Sequence, residues 1–296
     1  MTTKTGFIAI VGRPNVGKST LLNTILGEKI AIVSAKPQTT RTRITGIHTV
    51  GDTQYVFLDT PGMHRPKNKL GDYMMKTAGE TVGDVDAVLY VVEADKHLSP
   101  AEEELMKRLS KSGTPTILVI NKTDISTAEK VGQTIQRFSE MFDFHAVVPI
   151  SAAKGKGIDI IFEELAPLMQ EGPWMFPPDM ITDQPERQIA AEIIREKILR
   201  TMNDEIPHGI AVVIEDFSER KDLVSIRAEI FCERESHKGM IIGKNGAQLK
   251  TIGSYALQDL EAFLGTKVYL NLWVKVKENW RDNQSNIANF GFRDDS

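Results

Sequence analysis

The chain has 296 residues, of which 41% are hydrophobic and 26% are charged, and its formal net charge is −4 at pH 7. This length predicts two domains, and the negative net charge excludes a protein that coats nucleic acid through charge alone. The chain has one cysteine, Cys232, which excludes an internal disulfide and a cysteine-rich zinc site, so we expect Cys232 to pack in a core.

Residues 12–19 are the first informative segment, and they fit the pattern G-x-x-x-x-G-K-[ST]. An apolar strand over 7–11 precedes them and a helical pattern over 18–26 follows, so free backbone N–H groups and the helix dipole favour an anion at the helix start. We expect Lys18 to contact the β- and γ-phosphates of a nucleotide and the Ser19 hydroxyl to ligate Mg²⁺. The other residues predicted to bind this nucleotide here are Gly12, Arg13, Pro14, Asn15, Val16, Gly17 and Thr20.

Residues 35–43 are polar, basic and without apolar periodicity, which predicts a mobile loop. A nucleotide switch needs a hydroxyl in such a loop to complete the metal shell when the γ-phosphate is present. We expect Thr40 to supply it, with Thr39 as the alternative. Arg41 and Arg43 are expected to be solvated charges, although contacts with phosphate or with RNA are alternatives.

Residues 59–62 follow a predicted apolar strand and have the sequence Asp-Thr-Pro-Gly. Ligands of open α/β folds lie at the carboxyl ends of the strands, so we expect Asp59 to hold Mg²⁺ through a water molecule. The Gly62 N–H is expected to sense the γ-phosphate, and Thr60 and Pro61 are predicted to border the nucleotide.

The predicted catalytic residues are Lys18, Thr40 and Gly62, because phosphoryl transfer needs positioning and charge neutralisation more than covalent help. Many GTPases carry a glutamine directly after the Asp-x-x-Gly segment to orient water. Met63 occupies that position here, and a thioether cannot orient water. We therefore expect slow intrinsic hydrolysis, on the order of 10⁻⁴ to 10⁻³ s⁻¹.

Asn121, Lys122 and Asp124 follow another buried strand, and Ser151 and Ala152 follow the next. A carboxylate accepts hydrogen bonds from the N1–H and the exocyclic amine of guanine, and adenine has no matching donor pair. We therefore expect Asp124 to select guanine. Asn121 is expected to brace neighbouring loops, the Lys122 stem to lie over the base, and the Ser151–Ala152 backbone to donate to the guanine O6.

Residues 1–172 alternate strands with helical patterns, which predicts an α/β domain with a mostly parallel sheet. A hairpin over 44–58 gives this sheet one antiparallel edge strand. Further strands are predicted over 86–93 and 115–120, and helices over 69–82, 100–112, 127–142 and 157–169.

Residues 173–186 contain four of the thirteen prolines and are predicted to be a linker. Residues 187–282 then show the order helix, strand, strand, helix, Gly-Lys-Asn-Gly turn, helix, strand. This is the order of a type II KH domain, an α+β fold that clamps about four nucleotides of single-stranded RNA at its G-x-x-G turn. Residues 283–296 are expected to be a polar, poorly ordered tail.

The predicted RNA-binding residues lie around the turn at 243–246, where glycines let phosphates approach and apolar side chains form a groove for bases. Residues 234–281 carry eight positive and four negative residues, which gives a locally basic region. The residues predicted to bind RNA are Lys238, Ile241, Ile242, Gly243, Lys244, Asn245, Gly246 and Lys250.

These segments together resemble the Era family of bacterial GTPases over nearly the whole chain. The resemblance rests on residues 12–19, 38–41, 59–63, 121–124, 151–152 and 243–246. It implies GTP and GDP as ligands, a KH domain that binds 16S ribosomal RNA near its 3′ end, and a role in assembly of the small ribosomal subunit. It also implies nucleotide-dependent reorientation of the two domains, peripheral membrane association and, through Asn15, a hypothesis that K⁺ stimulates hydrolysis.

Two classes of function agree with these patterns. In the first, GTP hydrolysis gates RNA binding. In the second, the protein is mainly an RNA-binding assembly factor and GTP is a shape effector, while a GTPase that serves another RNA is a further alternative. With no apolar run of the ~20 residues that span a bilayer and no room for a signal peptide before the first strand, we expect a monomeric cytoplasmic protein, partly at the inner face of the membrane.

Overall fold

The structure is a computed structural model that describes residues 2–36, 38–62, 66, 68–81, 83–94, 100–202 and 209–292. The chain divides into two compact units. The first unit contains Met1–Ala31, Thr40–Pro66 and Gly71–Asp183, and the second contains Gln184–Ser296 together with Ile32–Thr39 and Lys67–Leu70.

A mostly parallel sheet forms the centre of the first unit. Its strands are β1 (Lys4–Gly12), β2 (Ile44–Val50), β3 (Thr53–Asp59), β4 (Ala87–Glu93), β5 (Thr116–Asn121), β6 (Ala146–Pro149) and the short β7 (Gln170–Glu171). Their order is β2-β3-β1-β4-β5-β6, with β7 paired to the start of β1. Of the described strands of this sheet, β2 and β7 run antiparallel to their neighbours. The predicted α/β fold with its antiparallel edge strand is therefore confirmed, and β7 is an addition.

Helices cover both faces of this sheet. They are α1 (Lys18–Leu26), α2 (Lys69–Thr81), α3 (Pro100–Ser112), α4 (Ala128–Ser139) and α5 (Ile158–Leu165). Alternate strand residues point to opposite faces, and accordingly Ile8 and Ile10 join one apolar core while Ala9 and Val11 join the other. The sheet thereby holds the carboxyl ends of β1, β3 and β5 at one edge.

The proline-rich segment predicted to be a linker lies along the edge of this sheet. The buried Gln54 side chain accepts hydrogen bonds from the N–H groups of Met175 and Phe176 at 2.9 and 3.0 Å. The Ile47 N–H donates to the Ile181 carbonyl at 2.8 Å. Because the Ile47 N–H is a group that an edge strand leaves free, this part of the proline-rich segment covers the β2 edge.

The second unit is built on a three-stranded sheet in the order β10-β9-β8. Its elements in chain order are α6 (Glu186–Thr201), β8 (Ala211–Arg220), β9 (Leu223–Cys232), α7 (Glu235–Ile242), α8 (Ala247–Leu264), β10 (Lys267–Val276) and α9 (Gln284–Asn289). Up to β10 this is the predicted type II KH order, with α7 and α8 joined at the G-x-x-G turn. Cys232 is fully buried in the core of this unit, as predicted.

Residues 283–292 of the segment predicted to be a polar, poorly ordered tail are packed against the second unit, and residues 293–296 lie outside the described residues. The indole N–H of the buried Trp280 donates to the Gly209 carbonyl at 2.9 Å, and Phe290 packs on Trp280 and on Phe231. Ile287 on α9 is also buried. The apolar residues were too widely spaced to predict a helix, but together they cover one end of the sheet.

The segment Ile32–Thr39 belongs with the second unit, although the sequence prediction placed it in the first domain. The Val33 N–H donates to the buried Glu196 carboxylate at 2.9 Å, and the Arg200 guanidinium donates to the Val33 carbonyl. The Arg195 guanidinium donates to the Thr39 carbonyl. Helix α6 therefore holds the main chain of this segment at both ends.

Candidate nucleotide site and RNA-binding turn

The loop between β1 and α1 has the backbone that a phosphate cradle requires. Gly12 and Gly17 have φ of 149° and 100°, a region that glycine adopts without strain. A Cβ on Gly12 would overlap the Val91 carbonyl, and one on Gly17 would overlap the Asn121 amide. The loop is thus packed closely on two neighbouring strands, and α1 begins directly after Gly17.

Lys18 lies folded into this loop. Its ammonium donates to the carbonyls of Gly12 and Arg13 at 3.2 and 3.0 Å, and only 6% of the residue is exposed. Burial lowers the pKa of Lys18 to about 8, and the charge of Asp59 opposes this shift. A bound phosphate would place a negative charge beside the buried Lys18 ammonium and stabilise its charged form.

Three oxygen atoms from separate segments meet beside Lys18. The Ser19 hydroxyl donates to one carboxylate oxygen of Asp59 at 2.7 Å and lies 2.9 Å from the Thr40 hydroxyl. Asp59 and Thr40 are both buried. The arrangement favours Thr40 over Thr39, because the Thr39 hydroxyl instead donates to the Lys36 carbonyl at 2.6 Å.

This oxygen cluster fits Mg²⁺. The second oxygen of Asp59 is buried and has no hydrogen-bond partner among the described residues, and Mg²⁺ prefers oxygen ligands and usually shares them with substrate phosphates. The described part of the chain has no group of three or more His, Cys, Asp or Glu residues that would form a separate metal site. The chemistry of the donors therefore matches the predicted set Ser19, Thr40 and Asp59.

The segment after Asp59 touches the phosphate loop. The Thr60 hydroxyl donates to the Ile10 carbonyl at 2.9 Å, which fixes the turn at the end of β3. A Cβ on Gly62 would lie 2.7 Å from the Pro14 Cα, so only glycine allows Pro61 and Gly62 to approach the loop this closely. Met63 lies outside the described residues, and its predicted effect on hydrolysis stays a prediction.

Asn121 joins the phosphate end of the site to its base end. Its amide donates to the Val16 carbonyl at 2.8 Å and accepts from the Ala152 N–H at 3.0 Å. The Thr24 hydroxyl, one helical turn after the predicted Thr20, also donates to the Ala152 carbonyl at 2.9 Å. Asn121 thus braces two loops, as expected from the sequence, whereas the contribution of Thr24 had no local signal.

The base end of the site presents Asp124 on its surface. Its carboxylate accepts a hydrogen bond from the Ser151 hydroxyl at 2.7 Å. Lys122 has a positive φ of 64°, and its ammonium pairs with Glu93 and donates to the Asn15 carbonyl at 2.7 Å. The roles of the Ser151 hydroxyl and of Glu93, which contact the predicted base-binding residues Asp124 and Lys122, were not predicted from the sequence.

Arg41 and Arg13 differ from simple solvated charges. Arg41 is 2% exposed, contrary to the expectation from its polar neighbours. Arg13 forms an ion pair with the buried Glu102 at 3.4 Å. Sequence periodicity could not show the burial of Arg41 or the pairing of Arg13 with a residue 89 positions away.

The G-x-x-G turn in the second unit lies between α7 and α8. Gly243, Asn245 and Gly246 all have positive φ, at 70°, 51° and 77°. Lys244, Asn245 and Lys250 are exposed, and Lys238 and Ile242 are partly exposed. A backbone with three left-handed residues and exposed cationic side chains is open to phosphates, as an RNA clamp requires.

One predicted RNA-binding residue does not reach the surface. Ile241 is fully buried in the core of the second unit. Successive residues of a helix point about 100° apart, so Ile241 enters the core while Ile242 stays partly exposed. The assignment of Ile241 to the groove was therefore wrong, since two adjacent isoleucines on a helix cannot share one face.

Replacing Asp59 with asparagine is expected to stabilise the ligand-free protein and to remove the stability that Mg²⁺ and GTP add. Burial raises the pKa of Asp59 to about 6, while Lys18 and the Ser19 hydrogen bond oppose this. The ionised carboxylate thus destabilises the empty fold at neutral pH, and this effect fades as pH falls through 6. Asp59→Asn should raise the free energy of unfolding of ligand-free protein by about 3 kcal/mol at pH 7.5 and about half that at pH 5.

Denaturant titrations with EDTA, and again with Mg²⁺ and GTP, test this prediction. The loaded variant should lose the added stability that the ligands give the wild type. Asp143→Asn, at an exposed aspartate after α4, is the matched control and should change neither value. A lower stability of the ligand-free Asp59 variant at pH 7.5 would contradict the prediction.

The fold and site together define a P-loop domain with a guanine-type base site, followed by a KH domain. Residues 7–122 match the family model described as 50S ribosome-binding GTPase, and residues 205–281 match the KH domain model. No described helix has both the length and the apolar character needed to cross a bilayer.

Relatives and solved structures match nearly the whole chain. GTPase Era of Clostridioides difficile is 52% identical over 98% of this chain and 99% of its own, and GTPase Era of Ruminiclostridium cellulolyticum is 49% identical over 99% of both. Crystal structures of an Aquifex aeolicus Era variant bound to GDP.AlF4⁻, and of Era with MgGDPNP and nucleotides 1506–1542 of 16S ribosomal RNA, each have a TM-score of 0.94. Each is 41% identical, covering 98% of this chain and 99% of its own. The chain belongs to the Era family of GTPases.

Proposed function

We propose that this protein binds GTP with Mg²⁺, hydrolyses GTP to GDP and phosphate, and uses the nucleotide state to gate binding of 16S ribosomal RNA during assembly of the small ribosomal subunit. The observation that carries the proposal is the cluster of Ser19, Thr40 and Asp59 oxygens with one buried carboxylate oxygen left unpaired. Such a cluster is suited to a metal that binds together with a triphosphate.

The side chains at the phosphate end act by binding and neutralising charge. Lys18 is expected to leave the Gly12 and Arg13 carbonyls and contact the β- and γ-phosphates. Bound Mg²⁺ supplies charge neutralisation between these phosphates. The Gly62 N–H is expected to hold the γ-phosphate, and its close approach to Pro14 brings that N–H to the phosphate loop.

The RNA part of the proposal is supported by the KH domain and by a relative. A solved Era structure that is 41% identical to this chain contains nucleotides 1506–1542 of 16S ribosomal RNA. The exposed Lys244 and Asn245 form the tip of a turn that matches the KH clamp. Crosslinking RNA to the protein in cells and sequencing it would identify the bound RNA, and recovery of another RNA class would favour the alternative of a different RNA target.

The gating part is supported by the segment that precedes Thr40. Thr40 contributes its hydroxyl to the nucleotide site, and the carbonyl of Thr39 accepts a hydrogen bond from Arg195 on helix α6. A change in the position of Thr40 therefore moves its neighbour Thr39, which is hydrogen-bonded to Arg195 on α6. The peptide bond between Thr40 and Thr39, followed by the hydrogen bond to Arg195, is the proposed route from the nucleotide state to the first helix of the KH domain.

The test of gating is RNA affinity measured with GDP, with a non-hydrolysable GTP analogue and without nucleotide. We expect the analogue to tighten binding about fivefold or more over GDP, and Thr40→Ala to remove the difference while RNA binding itself persists. Equal affinity in the three states would defeat gating and favour an assembly factor in which GTP merely stabilises one shape.

Intrinsic hydrolysis is expected to be slow, on the order of 10⁻⁴ to 10⁻³ s⁻¹, because Met63 cannot orient the attacking water. Single-turnover measurement on the isolated protein checks the rate, and a value above about 1 s⁻¹ would contradict it. The same assay in potassium and in sodium tests the proposed stimulation by K⁺ through Asn15, which equal rates would dismiss.

The proposed location is the cytoplasm, with part of the protein at the inner face of the membrane, and the proposed state is a monomer. The resemblance to the Era family supports peripheral association. Cell fractionation checks the location and sedimentation checks the monomer. A fully soluble protein after gentle lysis would refute membrane association.

A further inference from the structure

We propose that the outer face of β10 is a second RNA-binding surface, which stacks unpaired bases of the same RNA that the G-x-x-G turn clamps. This inference rests on the proposed RNA binding by the KH domain. The surface consists of alternate residues of β10, which point to the face opposite the helices, and we call it the β10 stripe. Its residues are Lys267, Tyr269, Asn271, Trp273 and Lys275.

The aromatic side chains of the stripe are unusually open to solvent. Tyr269 and Trp273 are each 59% exposed, whereas Val268, on the other face, is buried in the core. At ~3.3 Å per residue, the two aromatic residues lie ~13 Å apart along one strand. That separation is much larger than the ~3.4 Å rise of stacked nucleotides, so each ring would receive a base from a splayed single strand.

The types of side chain on and beside the stripe favour nucleic acid over a protein partner. Lys267 and Lys275 lie at its two ends, with side chains 79% and 55% exposed. Arg227, on the neighbouring strand directly opposite Asn271, is also exposed. Lysine is depleted in protein interfaces, while aromatic rings between cationic side chains are the pattern that binds single-stranded nucleic acid.

Three acidic residues balance these three cationic side chains in number. Lys275 pairs with Glu229, and Lys267 lies 3.6 Å from Glu261. Asp216 on β8 faces Arg227. Because the lysines pair only at the surface, phosphates can compete for them, and stacking rather than charge should dominate binding.

The position of the stripe is continuous with the predicted RNA groove. Helices α7 and α8, which hold the G-x-x-G turn, both pack on the inner side of β10. Strand β10 is the last strand of the sheet, so RNA that leaves the turn can pass around this edge to the outer face. A KH turn clamps about four nucleotides, and the RNA in the relative's solved structure spans nucleotides 1506–1542, so an RNA of that length extends beyond the clamp.

The test compares two RNAs on the full-length protein: nucleotides 1506–1542 of 16S ribosomal RNA, and the best-binding five-nucleotide fragment of it. The double variant Tyr269→Ala and Trp273→Ala should bind the long RNA about 10- to 100-fold more weakly and the short fragment as wild type does. Tyr255→Ala, which removes an exposed aromatic side chain from α8, is the matched control and should leave both affinities unchanged.

Trp273→Phe separates stacking from folding. This variant keeps a ring for stacking, so it should bind the long RNA within about threefold of wild type, yet lose the change in tryptophan fluorescence that the long RNA causes. Unchanged long-RNA affinity in the double variant overturns the proposal, as does equal loss on both RNAs. If the wild-type protein binds neither RNA, the proposed RNA binding itself is disproved. The results for the double variant concern only the β10 stripe.

Discussion

Asp124→Asn is expected to exchange the base preference of the protein from guanine to xanthine. The Asp124 carboxylate is fixed by the Ser151 hydroxyl through one oxygen, and it can accept from the N1–H and exocyclic amine of guanine. An asparagine amide offers one acceptor and one donor, so its NH₂ group would face the guanine amine. Xanthine carries a carbonyl at that position and pairs with the amide instead.

The expected size of the change follows from unpaired polar groups. Sites built to hydrogen-bond a substrate reject an analogue that leaves those groups unpaired by factors of 10⁴ to 10⁵ at most. Asp124 is exposed when no base covers it, so water relieves part of the mismatch. We expect GTP affinity to fall at least ~100-fold and XTP affinity to rise until it exceeds that for GTP.

Two further variants separate base selection from damage to the loops. Ser151→Ala removes the hydroxyl that orients Asp124 but keeps the carboxylate, and it should weaken GTP binding about 2- to 10-fold with no gain for XTP. Asn121→Ala removes the brace between the Val16 and Ala152 loops, and it should weaken both nucleotides. Calorimetry with GTP, XTP and ATP measures these effects, and GTP binding by Asp124→Asn at wild-type strength would disprove the assignment.

The sequence predicted the nucleotide site because each of its segments carries a local signal. Residues 12–19 and 59–62 lie at the carboxyl ends of buried strands, and neighbouring parallel strands bring these ends together at one edge of the sheet. The choice between Thr39 and Thr40 had no such signal, since both are threonines in a polar loop. It depends on which hydroxyl reaches Ser19, a contact between residues 21 positions apart.

Predictions failed where long-range packing determines the environment of a residue. Arg41 has polar neighbours in the sequence and is nevertheless buried. The tail after Asn283 looked polar, but Trp280, Phe290 and Phe292 gather into one aromatic cluster. The linker prediction rested on proline density, which excludes helices but says nothing about hydrogen bonds to a sheet edge such as those of Gln54.

The paired substitution Lys244→Asp and Asn245→Asp is expected to abolish RNA clamping while the fold and GTP binding stay intact. Both side chains are exposed at the tip of the turn. Aspartate tolerates the left-handed backbone of Asn245, whose φ is 51°. The substitutions replace a cation with two anions where phosphates approach, so we expect affinity for a five-nucleotide RNA to fall about 100-fold or more at low salt.

Gly243→Ala, in contrast, is expected to weaken RNA binding by destabilising the fold and not by removing RNA contacts. Gly243 has φ 70°, and a Cβ there would lie 2.7 Å from the Gln248 Cβ and 2.9 Å from its backbone nitrogen. Both atoms belong to the start of helix α8 and cannot move aside as a flexible side-chain end would. We expect this variant to lose about 1–3 kcal/mol of stability in the second unit, so its loss of RNA binding would follow from local unfolding.

Three measurements distinguish the two cases: thermal unfolding, GTP affinity, and RNA affinity as a function of salt. The paired variant should unfold at the wild-type temperature and bind GTP normally. Lys221→Asp, an exposed charge reversal in the hairpin between β8 and β9, is the control for general charge effects and should weaken the short RNA by less than about threefold. Tight binding of the short RNA by the paired variant would disprove the assignment of the clamp to this turn, whose two exposed polar residues lie between Gly243 and Gly246.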